Sequence, residues 1–335
     1  MKTDKRMIAG LGFVISLIFL VTAFRNLKPA DVVDSIEQAS PAWLVAGAIV
    51  YFVAVSVISL RWQYLLRAIK MVSLKDLIPL VAIGYMGNNI YPFRSGEVLR
   101  IVLLQRNHSI PFAKGTTTVL IERVFDGLVM LTFVVISLVF VDVSSPEIHA
   151  VAIIAAPIFL TALFVFFVLA AKPDILRRII LLIARYLPQK LGHVLLQTGE
   201  EIIAGLEGLR SLSSVIGTIV SSYSTWAIEA GVYWLVSFAF NLNVGYDVML
   251  LIVGVVNLAG LIPASPGQLG VFEFLVSTVL IGVGIADTLA IAYALVVHVV
   301  IWLPVTIAGL LFLFREGLNW QAIAQAQKLE HEAAT

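Results

Sequence analysis

Six ionisable side chains interrupt an otherwise apolar stretch between residues 88 and 126. They are Arg94, Glu97, Arg100, Glu122, Arg123 and Asp126. A charge at bilayer depth costs roughly 2.5–3.5 kcal/mol on insertion scales, so six unpaired charges would cost ~15–20 kcal/mol. The chain can keep them if they neutralise one another inside a helix bundle, or if they line a hydrated site for a polar molecule. We expect both.

The composition assigns these charges to a membrane protein. The 335 residues are 60% hydrophobic and 13% charged, whereas soluble domains carry about 25% charged residues. A net charge of +1 does not indicate nucleic-acid binding, and the lack of cysteine excludes thiolate metal sites and thiol nucleophiles. The five histidines lack metal-ligand spacing. We therefore expect an integral membrane protein without metal or cofactor, and not an enzyme.

Long apolar runs predict an all-α polytopic fold with about six transmembrane helices. Each run is long enough to cross a hydrocarbon core of roughly 30 Å as a helix. The predicted spans are 7–24, 42–60, 117–141, 149–171, 213–240 and 288–314. The first run follows a basic N-terminus and also resembles a signal peptide, but its length favours a retained span.

Two further apolar regions, 77–105 and 247–284, are each broken midway by a turn-forming cluster. The breaks contain Pro92, and Pro263 with Pro266, respectively. The halves beside each break are mostly too short to span the hydrocarbon core. We therefore expect two re-entrant hairpins, in which one helix enters, breaks near the midplane, and a second helix leaves on the same side.

Basic residues set the orientation. With both broken regions re-entrant and a cytoplasmic N-terminus, 17 of the 22 basic residues fall inside, including those of a predicted loop at 61–76. Only Arg25 and Lys28 fall outside, and three lie in the central charged stretch. This bias follows the positive-inside rule. It predicts a cytoplasmic (inner) membrane protein with both termini in the cytoplasm.

The predicted elements also repeat. Residues 42–141 and residues 213–314 each contain a span, a broken hairpin and a second span, and the two units enter the membrane from opposite sides. Each break places a proline four residues before a glycine, as Pro92 with Gly96 and Pro263 with Gly267. Inverted repeats with broken helices that meet at the midplane are typical of many transporters.

Residues 172–212 form a predicted cytoplasmic connector between the units. Apolar residues recur at helical spacing from Leu191 to Leu209, with charged residues between them. Such an amphipathic segment lies along the inner membrane interface or packs on the bundle, and the sequence leaves both open. Residues 315–335 form a polar cytoplasmic tail.

The first break has the features of an anion site. Ser95 and Gly96 open the outgoing half-helix, whose N-terminus carries free N–H groups and the positive end of the helix dipole. Arg94 precedes this helix and Arg100 lies about a turn inside it. Guanidinium groups bind phosphate oxygens through two parallel hydrogen bonds. Asn89 either caps the incoming half-helix or contacts the substrate.

The second break repeats this device. Ser265 is the expected N-cap, Pro266 the first helical residue, and Gly267 follows. Two half-helix N-termini that face each other would form a site for an anionic headgroup. We therefore include Ser265 and Gly267 among the predicted substrate-binding residues.

The six central charges can form one network. Glu97 and Arg100 share one helix face, and Arg123 and Asp126 share another. We expect Glu97, Arg123 and Asp126 to position the arginines that bind the headgroup, and Glu122 to titrate. The alternative is a purely structural cluster that joins the hairpin to the next span.

Three other ionisable residues fall within apolar segments. Glu229 lies in the middle of a predicted span, and Glu273 follows the second break. Both are candidates for carrying a proton, since intramembrane carboxyls commonly mark a transport pathway. His298, also mid-span, is either an interhelical hydrogen-bonding group or a proton relay.

Three motifs follow one another along the chain. They are Asn89-x-x-Pro92-x-Arg94-x-Gly96-Glu97-x-x-Arg100, Glu122-Arg123-x-x-Asp126 and Pro263-x-Ser265-Pro266-Gly267-x-x-Gly270-x-x-Glu273. In this order they resemble the lysylphosphatidylglycerol synthase transmembrane-region family of flippase-like proteins. The resemblance covers nearly the whole chain but not the soluble aminoacyl-transfer domain of the best-known members.

This resemblance implies a lipid translocase of the flippase or scramblase type. Its partner would be a membrane lipid with an anionic or phosphate-containing headgroup, and a separate synthase or glycosyltransferase is a further possible partner. Two alternatives stay open. One is a secondary transporter of a small anion, and the other is a non-catalytic membrane subunit of an envelope lipid or glycosyltransferase pathway.

Overall fold

A computed structural model describes residues 5–24, 28–91, 95–141, 172–188, 212–260 and 264–316, together with scattered residues between 157 and 203. Every regular element in these ranges is helical, which confirms the all-α prediction. The α-helices are α1 (Lys5–Phe24), α2 (Pro29–Glu37), α3 (Pro41–Leu66), α4 (Leu74–Ile90), α5 (Ser95–His108), α6 (Phe112–Phe140), α7 (Pro173–Ala184), α8 (Leu212–Ala239), α9 (Tyr246–Ala259), α10 (Val271–Gly282) and α11 (Asp287–Arg315).

The helices have the order expected of two similar units. Each unit begins with a long helix (α3 or α8), continues through two short helices on either side of a break, and ends with a long helix (α6 or α11). The packing between the units is reciprocal. The helix α3 runs along α8, while α4 packs against α11 and α9 packs against α6.

The helix lengths agree with a membrane protein. Within the described ranges, α3 and α11 are both long and apolar enough to cross a bilayer. The helices α6 and α8 have 29 and 28 residues, or about 42 Å at 1.5 Å per residue, which also exceeds the hydrocarbon thickness. The predicted span 149–171 and the predicted tail 315–335 lie mostly outside the described residues.

One part of the sequence interpretation is wrong. Arg61 was assigned to a cytoplasmic loop, but α3 continues to Leu66 and only 1% of Arg61 is exposed. The reason is helical periodicity, because Ile58, Arg61 and Leu65 lie on one face of α3 and all three are buried. The number of basic residues predicted to be cytoplasmic therefore falls by one, and the excess of basic residues on that side remains.

The helices α4 and α5 cross closely because glycines lie at their contact. A Cβ atom on Gly96 would lie 1.8 Å from the carbonyl oxygen of Gly84 and 2.6 Å from the backbone nitrogen of Asn88. One on Gly87 would lie 2.6 Å from the Cα atom of Gly96. Small residues allow two backbones to approach in this way. The crossing fixes the start of α5 against the end of α4.

The second break differs from its prediction. Pro266–Gln268 forms a single 3-10 turn, and α10 begins only after Gly270. Gly267 and Gly270 have φ angles of 66° and 87°, in the left-handed region that glycine adopts without strain. The hydroxyl of Ser265 donates to the carbonyl of Leu269 at 3.3 Å and does not cap the following turn. The chain therefore makes a tight loop here before the helix starts.

Candidate functional site

A charge cluster joins α3, α5 and α6 at the first break. Its members are Arg61, Arg100, Arg123, Glu97, Glu122 and Asp126. Three guanidinium groups face three carboxylates, so the formal charge of the cluster is zero. This compensation allows an apolar bundle to hold six charges. The cluster has a buried end and a more exposed end.

Glu122 forms the buried end. Its side chain is fully buried, and its two carboxylate oxygens pair with Arg61 and Arg100. Arg61 also pairs with Asp126, and its Nε atom lies 3.4 Å from Glu122 Oε1. The guanidinium of Arg100 lies over the ring of Trp62, 4.7 Å from its centroid, which adds a cation–π contact. These residues are held from several directions.

Arg123 forms the more exposed end. Its Nη2 atom lies 3.0 Å from Glu97 Oε1, and its Nη1 atom lies 3.2 Å from Asp126 Oδ2. The side chains of Arg123 and Glu97 are 35% and 18% exposed. Neither carboxylate oxygen reaches hydrogen-bond geometry with Arg123, and the Nε atom of Arg123 has no hydrogen-bond partner. Arg123 therefore has hydrogen-bonding capacity that the protein does not use.

Two tryptophans support the cluster. The indole nitrogen of Trp226 donates to Asp126 Oδ1 at 2.7 Å, which ties α8 to the cluster. The indole nitrogen of Trp62 donates to the hydroxyl of Thr118 at 2.9 Å. Sequence reasoning missed Arg61 and Trp226. An available signal for Arg61 was its place beside Trp62, inside an apolar run that continues to Leu66.

The predicted residues of the first break divide into two groups. Pro92 and Arg94 lie outside the described residues, so their roles stay predictions. Ser95 and Gly96 open α5 where the sequence places its start. Arg100, which we expected to bind substrate, is 3% exposed and already paired. Among the described arginines of the cluster, Arg123 has the most exposed side chain, at 35%.

The two breaks meet beside Trp302 of α11. Asn89 donates to the hydroxyl of Thr306 at 2.8 Å and to the carbonyl of Trp302 at 3.3 Å. A Cβ atom on Gly267 would lie 2.7 Å from the indole nitrogen of Trp302 and 3.5 Å from the carbonyl of Asn89. The indole N–H of Trp302 is buried and has no hydrogen-bond partner. A donor without a partner, the indole N–H of Trp302, therefore lies where the two breaks come together.

The second break holds a carboxylate and a histidine. Glu273 Oε1 lies 2.6 Å from His298 Nδ1, and Glu273 Oε2 accepts the backbone N–H of Gly270 at 2.6 Å. The ring of Phe272 stacks on His298 with centroids 4.1 Å apart. The helix α10 thus has an anionic group of its own at its N-terminus. Pro263 lies outside the described residues.

Glu229 forms no ion pair with either group, although it is close enough to Asp126 to interact with it electrostatically. It is 6% exposed, and the hydroxyl of Tyr233 donates to it in a long contact of 3.5 Å. Tyr51 of α3 and Tyr85 of α4 are close enough to interact with it electrostatically. Among the described residues no lysine, arginine or histidine forms an ion pair with Glu229.

Comparison with known proteins places this arrangement in a family. The family described as "Lysylphosphatidylglycerol synthase TM region" matches residues 7–309. That range includes the charge cluster, both breaks and Glu229.

Individual relatives come from archaea. A "UPF0104 membrane protein" of Methanothermobacter thermautotrophicus is 23% identical, over 90% of this chain and 91% of its own length. A similar protein of Pyrococcus horikoshii is 22% identical, over 93% and 97% of the two chains. "Glycosyltransferase AglD" of Haloferax volcanii is 22% identical over 79% of this chain. The match covers 47% of that relative, about half its length.

Proposed function

Because the chain belongs to the lysylphosphatidylglycerol synthase transmembrane-region family of membrane proteins, we propose that it translocates a lipid across the cytoplasmic membrane. The lipid would carry an anionic or phosphate-containing headgroup, and its tails would stay in the bilayer while the headgroup passes the midplane. In this proposal α4–α5 and α9–α10 are re-entrant hairpins of an inverted repeat, and both termini are cytoplasmic.

The observation that carries the proposal is Arg123, whose side chain is 35% exposed and whose buried Nε atom has no hydrogen-bond partner. A headgroup phosphate can accept two parallel hydrogen bonds from the guanidinium, which the two carboxylates do not make. Charge-assisted hydrogen bonds of this kind are strong. The site lies beside Glu97, in the first turn of α5. The positive end of that helix favours a bound anion. Arg94 would add a second cation at the same break.

The junction at Trp302 supports a polar ligand between the breaks. A buried donor without a partner is uncommon in native structures, and a bound ligand or water is a usual explanation. Asn89 and Gly267 line the same junction. We propose that the headgroup passes this point, and that Arg61, Arg100, Glu122 and Asp126 keep Arg123 in place.

Proton coupling is part of the proposal. Glu229 is a buried carboxyl without an ion-pair partner among the described residues, and intramembrane groups of this kind commonly belong to transport pathways. The pair Glu273 and His298 is a second candidate for moving a proton. The proposal includes no covalent step on the lipid, so the protein would act without enzyme chemistry.

A second candidate function follows from one relative. The chain matches about half of a protein named as a glycosyltransferase. It could therefore be the membrane subunit of a glycosyltransferase or lipid pathway, with a separate synthase or transferase as partner. In that case the charge cluster would be purely structural.

The test is headgroup translocation in proteoliposomes that contain a fluorescent anionic phospholipid or a fluorescent polyprenyl phosphate. Arg123→Gln keeps a polar side chain but shortens it and removes the charge. One lost charged hydrogen bond is worth about 1.5–3 kcal/mol, so we expect the rate to fall roughly 10- to 100-fold.

The matched control is Arg67→Gln. Arg67 is exposed and directly follows α3, outside the cluster, with its guanidinium 4.1 Å from the ring centroid of Tyr64. This variant should translocate at the wild-type rate. If no lipid moves in any protein, with or without a pH gradient, the translocase proposal is overturned. Uptake of a soluble anion, or loss of a partner in Arg123→Gln, would then identify the alternative.

A further inference from the structure

The helix α7 has an apolar face that no described residue covers. Ile175, Ile179 and Leu182 follow one another at intervals of three or four residues, which places them on one face of α7, and Tyr186 lies in the turn just after the helix. Their exposed fractions are 37%, 42%, 59% and 85%. An exposed apolar stripe of this kind marks an interaction surface for a protein or a membrane.

The opposite sides of α7 are attached to the protein. Leu176 packs against a small core cluster that includes Leu65 and Ile121. Arg177 makes a two-pronged contact with Glu200, at 2.6 Å and 2.7 Å. Ile180 lies against Gly199, where a Cβ atom would come within 2.7 Å of it. These contacts involve residues outside the apolar stripe, whose members stay exposed among the described residues.

The depth of α7 follows from its neighbours. Leu65 is the penultimate residue of α3, and Ile219 lies seven residues into α8. At 1.5 Å per residue, Ile219 therefore lies about 10 Å from the N-terminal end of α8. The helix ends on this side are those predicted to face the cytoplasm. With only 12 residues, α7 is too short to span the hydrocarbon core.

Asp174, beside the stripe, pairs with Arg177 at 3.7 Å, and the arginines near the stripe without a described partner are positive. Arg178 and Arg185 are exposed, flank the stripe and form no ion pair with a described residue. The charge of Arg177, in contrast, is compensated by Glu200. Helices that combine such a stripe with flanking arginines bind membrane interfaces, and anionic lipids strengthen the binding.

We propose that α7 is an interfacial helix that binds anionic lipids of the cytoplasmic leaflet. Ile175, Ile179, Leu182 and Tyr186 insert between the headgroups, and Arg178 and Arg185 contact lipid phosphates. The lipid binds here as a surface component and is distinct from the lipid proposed to cross the membrane. The inference requires only that the protein is inserted in a bilayer, so it can fail or hold independently of translocation.

The first experiment tests insertion. The chain contains no cysteine, so Leu182→Cys and Leu181→Cys each introduce a single thiol. Both positions are exposed, at 59% and 47%, but Leu181 lies on the arginine side. In vesicles of phosphatidylcholine and phosphatidylglycerol, a membrane-impermeant thiol reagent should react on the order of tenfold more slowly at position 182 than at position 181. Equal rates at the two positions would overturn the proposal.

The second experiment tests the lipid class. A fluorophore on Leu182→Cys is quenched by nitroxide-labelled phosphatidylglycerol or phosphatidylcholine in the same vesicles. We expect preferential quenching by phosphatidylglycerol, reduced about fivefold for each arginine removed in Arg178→Gln and Arg185→Gln. The control Arg67→Gln, an exposed arginine outside α7, should keep the preference. Protection of position 182 without quenching by either lipid would identify a protein partner and overturn the proposal.

Discussion

The two breaks occupy corresponding places in the two units but differ in their chemistry. At the first break, glycines bring α4 and α5 together, and a cluster of six charges ends at a partly exposed guanidinium. At the second break, the carboxylate of Glu273 accepts a hydrogen bond from the backbone N–H of Gly270 and pairs with His298. Both side chains are at most 5% exposed. Among the described residues, the ion pair at this break contains neither arginine nor lysine.

This difference separates architecture from function. A repeated layout of helix, break and helix can be kept while the side chains at the two breaks diverge. The first break retains unused donors that suit an anion, whereas the second satisfies its own helix N-terminus. The comparison predicts that stability depends most strongly on charge balance at the first break.

The largest expected effect comes from removing the central cation. Arg61→Gln leaves Glu122 and Asp126 without the guanidinium that joins them, and breaking a buried ion pair costs about 3–5 kcal/mol. We expect the free energy of unfolding to fall by this amount, measured by denaturant titration in detergent micelles. Arg67→Gln, at the exposed residue that directly follows α3, is the control and should stay within about 0.5 kcal/mol of wild type. Equal losses in the two variants would contradict the buried cluster.

The second effect concerns the close crossing at the first break. Gly96→Ala adds a Cβ atom that would lie 1.8 Å from a backbone oxygen of α4. Backbone cannot yield as a flexible side chain does, so we expect a loss of about 3 kcal/mol, at the upper end for overpacking. Gly231→Ala on α8 meets nothing within 4 Å and should be neutral or slightly stabilising. The measurement is the midpoint of thermal unfolding, monitored by size-exclusion chromatography. A wild-type midpoint for Gly96→Ala would show that the crossing is not tight.

The smallest effect tests the second break directly. In Glu273→Gln the amide oxygen can still accept the N–H of Gly270, and the amide nitrogen can donate to a neutral His298. We therefore expect a loss of only about 1 kcal/mol. The same substitution at Glu122 leaves two buried guanidinium groups without their shared partner, and should cost about 3–5 kcal/mol. Similar costs for the two variants would remove the distinction between the breaks.

Sequence reasoning located the main features of the site but not all of its partners. Spacing correctly indicated that Arg123 and Asp126 pair, because residues three apart share a helix face. It also grouped Glu97 with Arg100, whereas Glu97 pairs with Arg123 of α6 and Arg100 pairs with Glu122. The same reasoning could not pair Glu273 with His298, which are on different helices. It also started the second outgoing half-helix too early, since Gly267 and Gly270 add a left-handed loop before it.

The sequence by itself determined the membrane class, the all-α fold, the position of both breaks and the presence of charges that require compensation. These depend on composition and on local periodicity. Only the tertiary structure decided that Arg61 and Trp226 complete the cluster, that Arg100 is buried while Arg123 is accessible, and that the breaks meet at Trp302. Those outcomes depend on which faces of distant helices pack together, and a linear pattern does not specify that packing.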